Sequence, residues 1–233
     1  MLKENYRNVQ ENIQRACEKV NRSVDEVTLI SVSKTKPLSM LQEAYDCGAR
    51  EYGENKVQEM TEKEGQLPKD IHWHMIGHLQ TNKVKYIAPY VHLIHSVDSL
   101  KLAQEINRQG EKCNRSIPIL IEVNIAEEES KFGIKKDETI SLVREISKLP
   151  HVAIKGLMTI APFVDDPEDN RVYFRGIKEL SVDIANENID NVCMDVLSMG
   201  MTGDYMVAIE EGATMVRVVT GIFGERDYTG ERN

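Results

Sequence analysis

Three kinds of pattern are missing from this sequence of 233 residues. No apolar run is long enough to cross a bilayer, and the opening residues, MLKENYRNVQ, contain no apolar signal core. The four cysteines, at positions 17, 47, 113 and 193, are far apart and form no C-x-x-C pair. This spacing argues against a zinc site or a disulfide framework and is typical of a reducing compartment. We therefore expect a cytoplasmic protein.

The charge balance is acidic, with 29 Lys and Arg against 38 Asp and Glu, for a net charge of −9. A general nucleic-acid binder needs a basic face, so this class is disfavoured. The composition, 41% hydrophobic and 29% charged, is that of a globular protein. No proline- or glycine-rich linker divides the chain, and we expect a single domain over residues 1–233.

Short β-branched segments alternate with stretches of helical period along the whole chain. A leading helix is predicted over about residues 3–20, where Val9, Ile13, Cys17 and Val20 share one face. Eight strands are predicted at 27–33, 49–53, 71–77, 91–96, 117–125, 153–160, 192–198 and 215–219. Such an alternation forms either a doubly wound sheet or a closed (β/α)8 barrel. No G-x-G-x-x-G follows the first strand and no Walker loop occurs, so we predict an α/β TIM barrel over about 27–224.

The first predicted strand ends in K-T-K-P, which contains Lys34 and Lys36. Side chains two apart on an extended segment point to the same side, and reactive groups of such barrels collect at the carboxyl ends of the strands. A neighbouring ammonium group lowers the pKa of a lysine, which would make Lys34 a nucleophile. A solvated turn is the alternative interpretation.

The loops after the seventh and eighth strands are rich in small and hydroxyl residues, with Ser198, Gly200, Thr220 and Gly221. Barrels commonly bind phosphate with these two loops, although ordinary glycine turns would look the same. A lysine facing a phosphate site suggests a phosphorylated aldehyde held as a Schiff base.

Two further features of the sequence have weaker functional interpretations. The segment IHWHMIGH places His72, His74 and His78 on one side of an extended chain, a pattern that invites a metal. It contains no carboxylate or cysteine, so we expect packed or hydrogen-bonded imidazoles and no metal site. Lys155 lies early in the sixth strand, which places it away from the barrel mouth.

Six segments of the chain closely resemble those of the pyridoxal-phosphate homeostasis proteins, also called the proline-synthase co-transcribed family. They are VSKTKP, YGENKVQE, WHMIGHLQTNK, GLMTIAP, LSMGMTGDY and VRVVTGIFG, which together run from Val32 to Gly224. The resemblance implies a barrel similar to the N-terminal domain of alanine racemase, with pyridoxal 5′-phosphate (PLP) as cofactor.

The resemblance also implies a role for each residue of the site. Lys34, after the first strand, would form the Schiff base, and Arg217 would face the pyridine nitrogen. The two glycine-rich loops would hold the phosphate through Ser198, Gly200, Thr220 and Gly221. The pocket would be lined by Asn55, His78 and Met158, and the secondary lysines would be Lys36 and Lys131.

One position departs from the family pattern. The family usually has glycine before the threonine of the last strand end, and this chain has Val219 there. Valine excludes backbone angles that glycine permits and brings a side chain close to the expected phosphate. Gly221, where the family tends to have alanine, would restore some of the space.

The resemblance implies a monomeric carrier that buffers PLP and delivers it to apo-enzymes, without robust catalysis. Racemases of this kind need a second domain, and only twelve residues follow Gly221, so we expect none. An arginine at the pyridine nitrogen would also make PLP a poorer electron sink than a carboxylate would. The alternatives are a PLP-dependent amino-acid racemase with a reduced active site and a cofactor-free Schiff-base aldolase.

Overall fold

The computed structural model describes residues 1–224 and confirms the predicted TIM barrel. Eight parallel strands close in sequence order, with the first paired to the last through Ser31 and Val218. The strands are β1 (Thr28–Val32), β2 (Glu51–Glu54), β3 (His72–Met75), β4 (Leu93–Val97), β5 (Ile117–Glu122), β6 (Val152–Met158), β7 (Val192–Met201) and β8 (Met215–Val218). The predicted span to residue 233 extends beyond the described residues, so the single-domain boundary stays a prediction.

The helices surround the barrel. They are α1 (Leu2–Lys19), α2 (Leu38–Asp46), α3 (Val57–Gln66), α4 (Val84–Ile87), α5 (Leu100–Lys112), α6 (Thr139–Ile146), α7 (Arg171–Asn186), α8 (Tyr205–Glu210) and α9 (Thr220–Phe223). Single 3₁₀ turns lie at Val24–Glu26, Thr81–Lys83, Lys136–Glu138 and Pro167–Asn170. None of the helices described here is both long and apolar enough to cross a membrane.

The leading helix α1 is amphipathic, as its sequence period predicts. It buries Val9, Ile13 and Cys17 and packs against α8 and α9. This contact matters for the site because α9 follows directly from the carboxyl end of β8.

Strand β7 is longer than predicted and carries an irregularity next to the barrel mouth. Its pairing with β8 shifts in register between Ser198 and Met201. Gly200 lies within this shift at φ 90°, and a Cβ there would come within 2.6 Å of the Cβ of Ala208. The close approach of α8 therefore requires glycine at position 200.

Candidate functional site

A cavity of about 700 Å³ opens at the carboxyl ends of the strands, where β1, β6, β7 and β8 end. Three residues predicted for the site, Lys34, Lys36 and Thr220, line it. Lys131, which the resemblance named as a secondary lysine, lines it as well. The cavity is also lined by Ile160, Phe163, Met201, Thr202 and Val219. The cavity thus combines ammonium groups, hydroxyl groups and an apolar wall.

The loop that carries the two lysines is not the extended segment that the sequence suggested. Strand β1 ends at Val32, and Thr35 has a left-handed backbone at φ 61°, which is rare for a β-branched residue. The extended geometry expected for residues 34–36 is therefore wrong, although both lysines line the same cavity. Lys36 is buried, and its Nζ donates to the backbone carbonyls of Phe223 at 3.4 Å and Gly224 at 3.0 Å. It ties the β1 loop to the end of α9.

A buried ion network supports this loop from below. Nζ of Lys63 lies 2.7 Å from Oε1 of Glu54 and 2.6 Å from Oε1 of Glu59. The same ammonium group donates to the carbonyl of Ser33 at 2.7 Å, and the N–H of Thr35 donates to Glu59 at 2.5 Å. Burial raises the pKa of Glu54, although hydrogen bonds from Lys63 and Ser33 act against it. The network holds the residues on both sides of Lys34 in place.

Sequence reasoning missed Lys63 and Glu59 as parts of the site. They lie four residues apart on α3, a spacing that indicates a salt bridge on a helix surface. That pattern carries no signal that the pair is buried beneath a loop of another strand.

Arg217 is buried in the barrel interior on β8. It donates to Oγ of Ser198 at 2.6 Å and to the carbonyl of Thr159 at 2.8 Å. Burial lowers the pKa of Arg217 to about 10, against the opposing effects of Glu122 and Asp204. Ser198 is equally buried, so its hydroxyl group is engaged with Arg217 inside the barrel. Its predicted contact with a phosphate stays a prediction.

Two histidines that the sequence analysis did not connect extend this network. Nδ1 of His95 lies 2.8 Å from Oγ of Ser198, and Nε2 of His95 lies 2.9 Å from Nδ1 of His74. Nε2 of His74 in turn lies 2.7 Å from Oε2 of Glu51. Burial, together with the positive groups nearby, lowers the pKa of His95 well below its ordinary value. The packed and hydrogen-bonded state expected for the histidines of β3 is therefore confirmed for His74.

The two end groups of this hydrogen-bonded chain have fixed roles. Arginine has only donors, and an ionised carboxylate only accepts. Arg217 therefore donates to Ser198, and His74 donates to Glu51. Between them, each imidazole nitrogen donates or accepts according to the tautomer. The carboxyl group of Glu51, at the other end of the hydrogen-bonded chain, ionises readily. Burial raises its pKa, but the hydrogen bonds from His74 and His72 outweigh burial and lower the pKa of Glu51 to about 2.

The remaining predicted residues are not among the described residues that line the cavity. Asn55 follows β2 and packs against Gly77, where a Cβ would lie 2.5 Å from the carbonyl of Asn55. His78 is exposed and its ring stacks on Phe132 with centroids 4.0 Å apart. Met158 is buried with Leu93 and Leu120, as an apolar group separate from the main core. Gly221 packs tightly, since a Cβ there would lie 2.9 Å from Cγ1 of Val218. Their roles stay predictions.

The backbone of Val219 has φ −107° and ψ −82°, so its φ is negative. Its N–H donates to Oγ1 of Thr202 at 3.1 Å, which joins the loops after β7 and β8. Its side chain lines the cavity. The valine therefore needs no left-handed conformation here.

One acidic group lies buried near this end of the barrel. Glu122, the last residue of β5, is only 6% exposed. Burial and the nearby charge of Asp98 raise the pKa of Glu122 to about 7, while Arg217 acts in the opposite direction. Lys155, in contrast, is exposed in the middle of β6 and is not among the residues that line the cavity.

The fold and the cavity define a barrel of the alanine racemase type, and residues 5–227 match the family described as "Alanine racemase, N-terminal domain". The alanine racemase of Clostridium difficile 630 superposes with a TM-score of 0.74 at 14% identity, over 96% of this chain and 57% of that one, which is a likeness of fold alone.

Relatives with higher sequence identity identify the family more precisely. A curated pyridoxal phosphate homeostasis protein from Aquifex aeolicus (strain VF5) is 47% identical over 221 residues, 94% of this chain and 96% of that protein. The structure of PipY from Synechococcus elongatus PCC7942 with PLP bound has a TM-score of 0.79 and 32% identity, and the match covers 91% of this chain and 100% of that one. The chain belongs to the family of pyridoxal phosphate homeostasis proteins.

Proposed function

We propose that this chain binds PLP covalently through Lys34 and takes part in intracellular PLP homeostasis. The observation that carries the proposal is the position of Lys34 on the wall of a cavity that also presents Thr202 and Thr220. The Aquifex aeolicus relative, 96% of which is covered by the match, is called a pyridoxal phosphate homeostasis protein. PipY has a structure with PLP bound.

The residues present suit the three chemical parts of this cofactor. An aldehyde needs an amine, which Lys34 supplies. A phosphate group needs donors and positive charge, and the cavity offers the hydroxyl groups of Thr202 and Thr220 together with the ammonium groups of Lys36 and Lys131. An aromatic ring needs an apolar wall, and the apolar residues that line the cavity include Ile160, Phe163 and Met201. The cavity volume of about 700 Å³ lies within the range of small-molecule sites.

Each residue of the site has a proposed task. Lys34 would hold PLP through its uncharged ε-amine, and the cofactor would supply the aldehyde group for that bond, with one water molecule released. Thr220 and Gly221 begin α9, where backbone N–H groups have no acceptor within the helix, so they can donate to the phosphate. Lys36 keeps α9 against the β1 loop. Asn55, His78, Met158, Ser198 and Gly200 keep the roles that the family resemblance implies.

We also propose storage and delivery of the cofactor, without robust turnover. The relatives carry the name of homeostasis proteins, which describes no catalysed reaction. Arg217 has only donors, so a pyridine nitrogen that accepts from it stays unprotonated, and such a ring withdraws electrons poorly. We propose further that the chain acts as a cytoplasmic monomer that hands PLP to apo-enzymes. The four free cysteines fit a reducing compartment.

The test is the visible absorption band of the lysine-bound cofactor in the purified protein. With Lys34→Ala we expect this band to be lost, and with it the covalent label that borohydride reduction leaves on the chain. Lys155→Ala, which removes an exposed lysine of β6, serves as the matched control and should keep both signals. A full band in Lys34→Ala at neutral pH would contradict the assignment.

Solvent deuterium distinguishes the carrier from the racemase alternative. The proposal predicts no incorporation at the α-carbon of free amino acids beyond the rate that PLP alone produces. Incorporation that depends on the protein and disappears in Lys34→Ala would support the racemase instead.

A further inference from the structure

A second cluster of ligand-type side chains lies at the amino-terminal end of the barrel, opposite the cavity. Glu51 begins β2, His72 begins β3, and His92 immediately precedes β4. Glu51 and His72 are direct neighbours in the parallel pairing of β2 with β3, and the N–H of His92 donates to the carbonyl of Trp73. Three successive strands therefore present one imidazole or carboxylate group each at the same edge.

The three groups are close enough to share a ligand. Their ligand atoms all lie within 4.8 Å of one another. Nδ1 of His72 lies 2.7 Å from Oε1 of Glu51, and the rings of His72 and His92 are nearly parallel with centroids 4.2 Å apart. Ligand atoms around a tetrahedral zinc ion are about 3.3 Å apart. Both histidines are exposed, so their side chains have room to rotate toward a shared ion.

The carboxylate of the cluster is held in position from behind. While Oε1 of Glu51 faces His72, its Oε2 accepts from Nε2 of His74 at 2.7 Å. His74 is fully buried, and its other nitrogen contacts His95 at 2.9 Å. Metal ligands are typically oriented by hydrogen bonds of this kind from a second layer of residues. An exposed acidic side chain on an ordinary surface has no such anchor.

The geometry points to a binding site for a divalent transition-metal ion, with Glu51, His72 and His92 as protein ligands and water in the open position. Imidazole nitrogen together with carboxylate oxygen suits Zn²⁺ and its neighbours in the first transition row, whereas Mg²⁺ and Ca²⁺ prefer oxygen ligands alone. The sequence segment that contains His72, His74 and His78 has no carboxylate. The fold supplies that carboxylate from the adjacent strand, and it leaves out His78, which is exposed beyond the other end of β3.

The test is calorimetric titration of the full chain, freed of metal with a chelator, with ZnCl2 and, in a parallel experiment, MgCl2. We expect one zinc site per chain and no comparable binding of Mg²⁺. His72→Gln and His92→Gln should each weaken zinc binding at least tenfold. Both residues are exposed, so the variants should fold, which far-ultraviolet circular dichroism checks. His151→Gln, a histidine outside the cluster, is the matched control and should titrate like the unchanged chain.

Cobalt replaces zinc as a spectroscopic probe, since it identifies the ligand type. A site of imidazole and carboxylate ligands gives visible cobalt bands without the near-ultraviolet charge-transfer band of a cobalt thiolate. The proposal is overturned if the chain binds no zinc, if both cluster variants bind it like the unchanged chain, or if the cobalt complex shows a thiolate band. The last result would place the metal on the cysteines.

Discussion

Nδ1 of His95 lies 2.8 Å from Oγ of Ser198, and this contact joins two polar groups that the sequence places 103 residues apart. On one side Ser198 accepts from Arg217, and on the other His95 continues through His74 to Glu51. Four hydrogen bonds therefore connect Arg217 to Glu51 through the barrel interior. Because these buried groups hydrogen-bond to one another, the barrel tolerates two imidazoles and a guanidinium group in its core.

Removing the central hydroxyl group should be costly. Ser198→Ala leaves an N–H of Arg217 and Nδ1 of His95 without their partner, and a buried group left unsatisfied costs about 1–3 kcal/mol. We expect the free energy of unfolding in urea to fall by that amount. Ser96→Ala is the matched control, because Ser96 is a buried barrel serine whose Oγ has no hydrogen-bond partner among the described residues. If both variants lose stability to the same extent, the hydrogen bonds of Ser198 contribute nothing specific to the stability of the fold.

The second prediction concerns the ion network of Lys63, Glu54 and Glu59 beneath the Lys34 loop. Lys63→Met removes the ammonium group that compensates the buried carboxylate of Glu54, and breaking a buried pair in this way costs about 3–5 kcal/mol. The double variant Lys63→Met with Glu54→Gln removes the stranded charge and should recover part of the loss in urea unfolding. Lys69→Met, which breaks the exposed pair with Glu64, should change stability by less than about 1 kcal/mol. A double variant no more stable than Lys63→Met would contradict the charge argument.

The raised pKa of Glu122 predicts a pH dependence of stability. In the folded chain this carboxyl group keeps its proton up to about pH 7, while in the unfolded chain it loses it near the ordinary value of 4.5. Between these values the folded state binds more protons, so its stability falls as pH rises. The full shift corresponds to roughly 3 kcal/mol. Glu122→Gln stays uncharged, and we expect its unfolding free energy to fall less between pH 4.5 and 7.5.

The measurement is a series of urea unfolding curves at several pH values. Glu145→Gln, which changes a half-exposed glutamate paired with Lys148, should keep the pH dependence of the unchanged chain. Equal slopes in the unchanged chain and in Glu122→Gln would mean that Glu122 titrates normally in the folded state.

The bulk of Val219 predicts a selective effect on cofactor binding. Its side chain lines the cavity next to Thr220, and Val219→Gly removes that side chain. We expect PLP to bind at least as tightly, measured by titrating the visible band. The apo-protein should lose about 1 kcal/mol of stability, because glycine gains more freedom in the unfolded chain.

Pyridoxal without its phosphate is the matched ligand for this variant. If Val219 restricts the phosphate, the affinity for pyridoxal should show no comparable gain. Equal gains for both ligands would mean that Val219 does not lie beside the phosphate.

The sequence alone was sufficient for the architecture and for the outline of the site. The alternation of β-branched segments with helical periods predicts the barrel, because the spacing of apolar side chains in each segment shows which face of that segment is buried. The strand-end rule then places Lys34 and Thr220 at the same mouth, and both line one cavity.

Only the tertiary structure decided which polar groups meet. The local pattern of β1 suggested two lysines side by side, whereas the left-handed Thr35 turns the chain and Lys36 contacts the end of α9. The sequence also gave no sign that Glu51 faces His72 and His92, or that Ser198 meets His95. Such contacts depend on strand register and on closure of the barrel, which bring together residues with no pattern in common along the chain. A periodicity shows which face of a segment is buried, but the partner on that face is determined by the packing of the whole barrel.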